Sequence, residues 1–215
     1  MAALMTSVID NPGKVSEYIL TCRSMGIKIL PPDINEGEAG FSVSGGSIRY
    51  ALTAIKGVGR PVIDAVTEER TVRGPFLSLQ DFVTRMADSE VNKRTVENFI
   101  KSGTFDGLGG TRKQFMSVFA QMMDSQQHNK KNNLAGQISL FDLVSEEEKS
   151  DFEIRLPDVG EYSKEELLAF EKEILGVYIS GHPLEDYKDV WQKTVTANAS
   201  DFIVDEEAGG ARVTD

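Results

Sequence analysis

The run Leu52-Thr53-Ala54-Ile55-Lys56-Gly57-Val58-Gly59-Arg60-Pro61-Val62-Ile63-Asp64-Ala65 holds the residue types that bind an anion through the main chain. Gly57 and Gly59 allow a tight turn and the close approach of a ligand to the backbone. A helix expected from Pro61 to Glu69 leaves its first N–H groups without intrahelical partners, aimed at the mouth of the turn. Those donors and the helix dipole suit a phosphate. Val58 would anchor the turn in a core, and Lys56 and Arg60 would add positive charge beside the bound group. Such contacts read no base edge, so nucleic acid held this way is bound without sequence preference and released by salt. The same residues also fit a plain helix–turn–helix corner that touches only protein. A dinucleotide-binding Gly-x-Gly fits less well, because it needs a buried strand before it and Ala51–Lys56 reads as helix.

A second candidate is Gln137-Ile138-Ser139-Leu140-Phe141. Leu140 and Phe141 are apolar anchors in a polar stretch where no local core requires them, and linear peptides enter grooves through such anchors. Gln137 offers a donor and an acceptor at the rim. The alternative is that Leu140, Phe141 and Leu143 pin the stretch back onto the domain. Gly107-Leu108-Gly109 with Arg112 and Lys113 could make another phosphate contact, or only a structural turn.

Other chemistry finds little support. His128 and His182 are isolated and Cys22 stands alone, so neither a zinc site nor an internal disulfide is expected. No Asp-x-Asp pair is present to hold two magnesium ions. No nucleophile–base set is visible, so no catalytic residue, metal site or cofactor is assigned. Glu165, Glu166, Glu171 and Glu173 read as solvated helix-face charges.

The elements that must position these residues are mostly helical. Val15, Tyr18, Ile19, Cys22 and Met25 recur at helix spacing, with Gly26 as the stop. Phe41–Val43 and Ile48–Tyr50 flank Ser44-Gly45-Gly46-Ser47 as a β-hairpin. Helices are expected at Ala51–Ile55, Pro61–Glu69, Ser78–Met86, Asn92–Lys101 and Arg112–Met123. Ser163 and Glu166 form a capping box for a helix ending at Leu175, with Leu167, Phe170 and Ile174 as its apolar stripe. Residues 124–136 are polar and read as a linker. Residues 192–215 are acidic and poorly patterned. The fold class is therefore mainly α: a helix-hairpin-helix bundle with one small β-hairpin, a flexible linker and a C-terminal helical segment. The expected divisions are 1–123, 124–145 and 146–215.

At 215 residues and 40% hydrophobic content the chain can bury a real core. No apolar run approaches a membrane span, and the N-terminus lacks the pattern of a signal peptide, which fits a cytoplasmic protein. The net charge of −11 hides an asymmetry. Residues 48–113 carry 11 basic and 8 acidic side chains, whereas residues 142–215 carry 7 and 20. A contact with phosphates belongs in the middle of the chain.

Four blocks resemble the bacterial DNA polymerase III alpha subunit, the replicative C-family polymerase. They are Met25-Gly-Ile-Lys-Ile-Leu-Pro-Pro-Asp-Ile-Asn-Glu36, Ile48-Arg-Tyr-Ala-Leu-Thr-Ala-Ile-Lys-Gly-Val-Gly59, Val91-Asn-Lys-Arg-Thr-Val-Glu-Asn-Phe-Ile-Lys-Ser-Gly-Thr-Phe-Asp106 and Glu171-Lys-Glu-Ile-Leu-Gly-Val-Tyr-Ile-Ser-Gly-His-Pro-Leu184. The likeness runs in the family's order over about residues 1–190. It implies a region joining the end of the fingers domain to the clamp-binding region. The hairpin Lys56, Gly57, Val58, Gly59 and Arg60 would then hold duplex DNA behind the active site. Gln137, Ile138, Ser139, Leu140 and Phe141 would be the internal sliding-clamp peptide, with Leu140 and Phe141 entering the clamp's pocket. The family's palm, with its catalytic aspartates, its thumb and its nuclease-like domain would lie upstream, and its oligonucleotide-binding (OB) barrel downstream. The chain is thus expected to be a non-catalytic fragment whose partners are duplex DNA, the clamp, the remaining polymerase domains and replisome subunits. Pro61 departs from the family's hairpins, where another N–H is expected. A stand-alone helix-hairpin-helix DNA-repair adaptor would leave the first and last blocks unexplained. A purely structural connector would bind neither DNA nor clamp.

Overall fold

The computed structural model describes residues 1–134, 154–187, 190, 193–195, 202–205 and 210–213. Two compact units divide the chain, Met1–Ser180 and Gly181–Asp215. The first opens with α1 (Ala2–Ser7) and α2 (Pro12–Ser24). Asn11 caps α2 by accepting from the Lys14 N–H, and Val15, Ile19 and Cys22 face the core. Met25 is 62% exposed rather than in that stripe, because the helix has ended. The N–H of Gly26 bonds the Arg23 carbonyl and that of Ile27 the Cys22 carbonyl, at 3.0 and 2.8 Å. This pair is the Schellman closure of a helix by a left-handed glycine.

The expected hairpin forms as β2 (Ser42–Ser44) and β3 (Ser47–Arg49), antiparallel, with Val43 opposite Ile48. The sheet has one strand more than the sequence suggested. β1 (Ile29–Leu30) pairs parallel to β3, giving the order β1-β3-β2. Two residues are too few to show a period-2 pattern.

Helices then build most of the unit: α3 (Arg60–Arg73), α4 (Leu79–Arg85), α5 (Lys93–Lys101) and α6 (Arg112–Leu134). The side chains of Ser78 and Asn92 cap α4 and α5. The expected helix at Ala51–Ile55 is only a single 3-10 turn, Leu52–Ala54. Its backbone is already engaged, since the N–H groups of Leu52 and Thr53 donate to the carbonyls of Glu38 and Ala39. At the other end, α6 runs through Leu134, so the polar stretch after 123 begins as helix.

Phe76, Phe82, Phe99 and Phe105 meet edge to face at the centre, with centroids 4.9–6.1 Å apart. α5 packs on α6 and on α7 (Lys164–Leu175), so chain beyond residue 153 returns to this body. α7 carries the expected capping box between Ser163 and Glu166 and stops at Gly176.

In the second unit β4 (Phe202–Asp205) pairs antiparallel with β5 (Gly210–Val213), an element that the acidic sequence did not announce.

Candidate nucleic-acid interface

The Lys56 peptide, which leads into the glycine corner, is held from both sides. Its N–H donates to the Ile174 carbonyl at 3.1 Å. Its carbonyl accepts from Asn98 Nδ2 at 2.7 Å. Ile174 lies in the last turn of α7, where helix carbonyls lack intrahelical partners. The next carbonyl, Leu175, accepts from the buried Tyr50 hydroxyl at 2.9 Å. Burial raises the pKa of that phenol, which keeps it a donor.

Gly57 makes the turn with φ +74°, and a Cβ there would stand 2.9 Å from Asn98 Nδ2. Both the backbone conformation and the packing select glycine. Val58 is buried, as its place between the glycines led us to expect. Gly59 is the N-cap of α3, and its carbonyl accepts from the N–H groups of Val62 and Ile63. Lys56, Gly57, Gly59 and Arg60 are exposed. The N–H groups of Gly57, Gly59 and Arg60 have no hydrogen-bond partner among the described residues. Pro61 follows and offers no donor.

Charge at this corner is uneven. Arg60 Nε pairs with Asp64 Oδ1 at 3.0 Å, one turn on, with both side chains exposed. Lys56 has no ion-pair partner among the described residues. Arg94, on α5, lies beside Gly57. Its Nε would be 3.7 Å from a Cβ placed on that glycine.

The second glycine-rich corner is built differently. Arg112 is only 6% exposed. Its Nε and Nη2 bind the two Asp106 oxygens at 3.0 and 2.8 Å, and its Nη1 donates to the Lys101 carbonyl at 3.1 Å. Burial works against the charge, but Asp106, with Glu171 and Glu161, outweighs it and leaves the pKa raised. Gly103 makes room for this guanidinium, since a Cβ there would come within 2.1 Å of Nη2. The first N–H groups of α6, on Arg112 and Lys113, donate to the Glu161 carboxylate at 2.9 and 3.1 Å. This helix start already holds an anion, supplied by the chain itself. At this corner the Arg112 guanidinium and the first donors of α6 are taken within the chain, which removes them from a phosphate contact at Gly107–Gly109.

One reading of the sequence is corrected here. Glu171 is not solvated but fully buried. Its Oε2 accepts from the N–H groups of Ile179 and Ser180 at 2.8 and 3.0 Å, and its Oε1 is 3.8 Å from Arg112 Nη2. A signal was available, since Glu171 sits at helix spacing between Leu168 and Ile174, both buried. Asn98 and Arg94 were missed because their place beside the corner is a long-range contact. The peptide Gln137–Phe141 lies outside the described residues. Among the described residues there is no group of His, Cys, Asp and Glu that could hold a metal ion. No described helix is long and apolar enough to cross a membrane.

The corner, its flanking sheet and α4–α5 fall within one family model. The model described as "Helix-hairpin-helix motif" matches residues 26–115. Whole-chain relatives narrow this class. The chain is 39% identical over 188 residues to the DNA polymerase III subunit alpha of Borreliella burgdorferi, covering 87% of this chain and 16% of that protein. It is 39% identical over 184 residues to that of Mycobacterium leprae (86% and 16%), and 35% over 203 residues to that of Chlamydia pneumoniae (94% and 16%). The chain matches a fragment of the bacterial DNA polymerase III alpha subunit, and spans about a sixth of the length of these relatives.

Proposed function

We propose that this chain is a non-catalytic part of a replicative DNA polymerase that grips the backbone of duplex DNA and tethers the enzyme to its sliding clamp. The observation that carries the DNA half is the contrast between the two corners. At one, helix N–H groups are filled by an internal carboxylate. At the other, the donors of Gly57, Gly59 and Arg60 stay open beside Lys56. An open donor set next to positive charge suits a phosphate oxygen and reads no base, so the grip is sequence-independent. The clamp half rests on the residue pattern of Gln137–Phe141 and on the family. Nucleotidyl transfer, the remaining polymerase domains and the other replisome partners belong to the parent enzyme, and the setting is cytoplasmic.

Titrating the chain with fluorescent duplex across a salt series tests the first half. Binding should weaken steeply with salt, be indifferent to sequence and fall in Lys56→Gln. Salt-independent binding, or none, would favour the structural connector. For the second half, Leu140→Ala with Phe141→Ala should abolish clamp capture, and unchanged affinity would refute it.

A further inference from the structure

We infer that Arg94 is a further DNA-backbone ligand, contributed by α5 to the phosphate seat at Gly57–Arg60. This rests on the reading of that corner as a DNA grip.

Three observations converge on it. The guanidinium lies against the turn, with Nε 3.7 Å from where a Gly57 Cβ would stand. Its neighbour one turn on, Asn98, fixes the height of α5 against the corner through the 2.7 Å bond to the Lys56 carbonyl. Arg94 is exposed and has no ion-pair partner among the described residues. The contrast with other cations nearby is direct. Lys93 is held by Asp124 at 2.6 Å, Lys101 by Glu97 at 3.0 Å and Arg112 by Asp106 at 2.8 Å. Within the hairpin itself, Asp64 occupies Arg60. Lys56 and Arg94 are therefore the cations at this corner that have no ion-pair partner among the described residues.

The ligand class follows from the donors. A planar guanidinium beside unpartnered backbone N–H groups on exposed residues matches a phosphodiester, which presents two oxygens and one negative charge. With Pro61 withholding one donor, the arginine supplies a contact that the helix start lacks.

The test is the same duplex salt titration on the full chain, comparing wild type, Arg94→Gln, Arg94→Lys and Lys56→Gln, with a thermal melt for each. Loss of one phosphate contact should lower the log–log salt slope by about 0.9. We expect that change in Arg94→Gln, an affinity deficit that shrinks by about threefold between 50 and 200 mM salt, and restoration of the slope in Arg94→Lys. A wild-type slope in Arg94→Gln, while Lys56→Gln weakens binding, overturns this inference and leaves the hairpin grip standing. A melt well below wild type in Arg94→Gln, with neither melt nor slope restored in Arg94→Lys, also overturns it, by making Arg94 a structural residue. Wild-type chain that shows no salt-dependent binding removes both readings.

Discussion

Gly57 concentrates what single residues contribute to this molecule. Its φ of +74° is costly for any residue with a Cβ, and Asn98 Nδ2 occupies the space a methyl group would need. Gly57→Ala should destabilise the chain by about 1–3 kcal/mol, read as a shift in a urea midpoint. Lys56→Gln, at an exposed neighbour, should leave that midpoint nearly unchanged. The glycine corner and its charged flanks were legible in the sequence because the turn chemistry is local. Asn98 and Arg94 were not legible as parts of it, nor was Glu161 as the anion at the start of α6. Each acts on a residue far along the chain, and nothing in its own neighbourhood marks the partner. Glu171 shows the trap most clearly, as a carboxylate on a helix normally belongs in water, and this one is buried against backbone N–H groups.

At the scale of elements, α7 tests how far local signals carry. Its capping box was readable from Ser163 and Glu166 alone, and both bonds form. Ser163→Ala should cost about 1 kcal/mol by chemical denaturation. The Glu166 pKa is lowered, first by the Ser163 backbone N–H and then by the Ser163 side chain. A carboxylate depressed by folding contributes stability above its unfolded pKa, and that contribution disappears as pH falls through the folded one. Glu166→Ala should therefore be less stable than wild type near neutrality, and the gap should close in acid below the ordinary carboxylate range. Other elements escaped the sequence for physical reasons. The arm before Gly57 has apolar residues at helical spacing, yet tertiary hydrogen bonds to Glu38 and Ala39 reduce it to one 3-10 turn. α6 outruns its apolar stripe and continues to Leu134, past the point where apolar periodicity stops signalling a helix.

For the whole of the first unit, the feature that composition could not show is that residues 154–180 fold back onto the body formed by 1–134. Bonds that secure them include Glu161 to the start of α6, Gln114 to the Pro157 carbonyl, Arg23 to the Tyr178 carbonyl, Glu171 to Arg112, and the end of α7 to Lys56 and Tyr50. Glu171→Ala would strand two backbone N–H groups and part of the Arg112 charge in the interior. We expect a loss of about 3 kcal/mol, measured by a thermal or urea transition, against near-neutrality for the exposed Glu173→Ala. The union of α7 with the Lys56 peptide has a mechanical consequence. Leu134 and Ile154 belong to the same body, so whatever pulls on the stretch between them pulls at two moorings. Tension is shared by both flanks, and a backbone nick within 135–153 would break a covalent link while leaving the two pieces noncovalently joined.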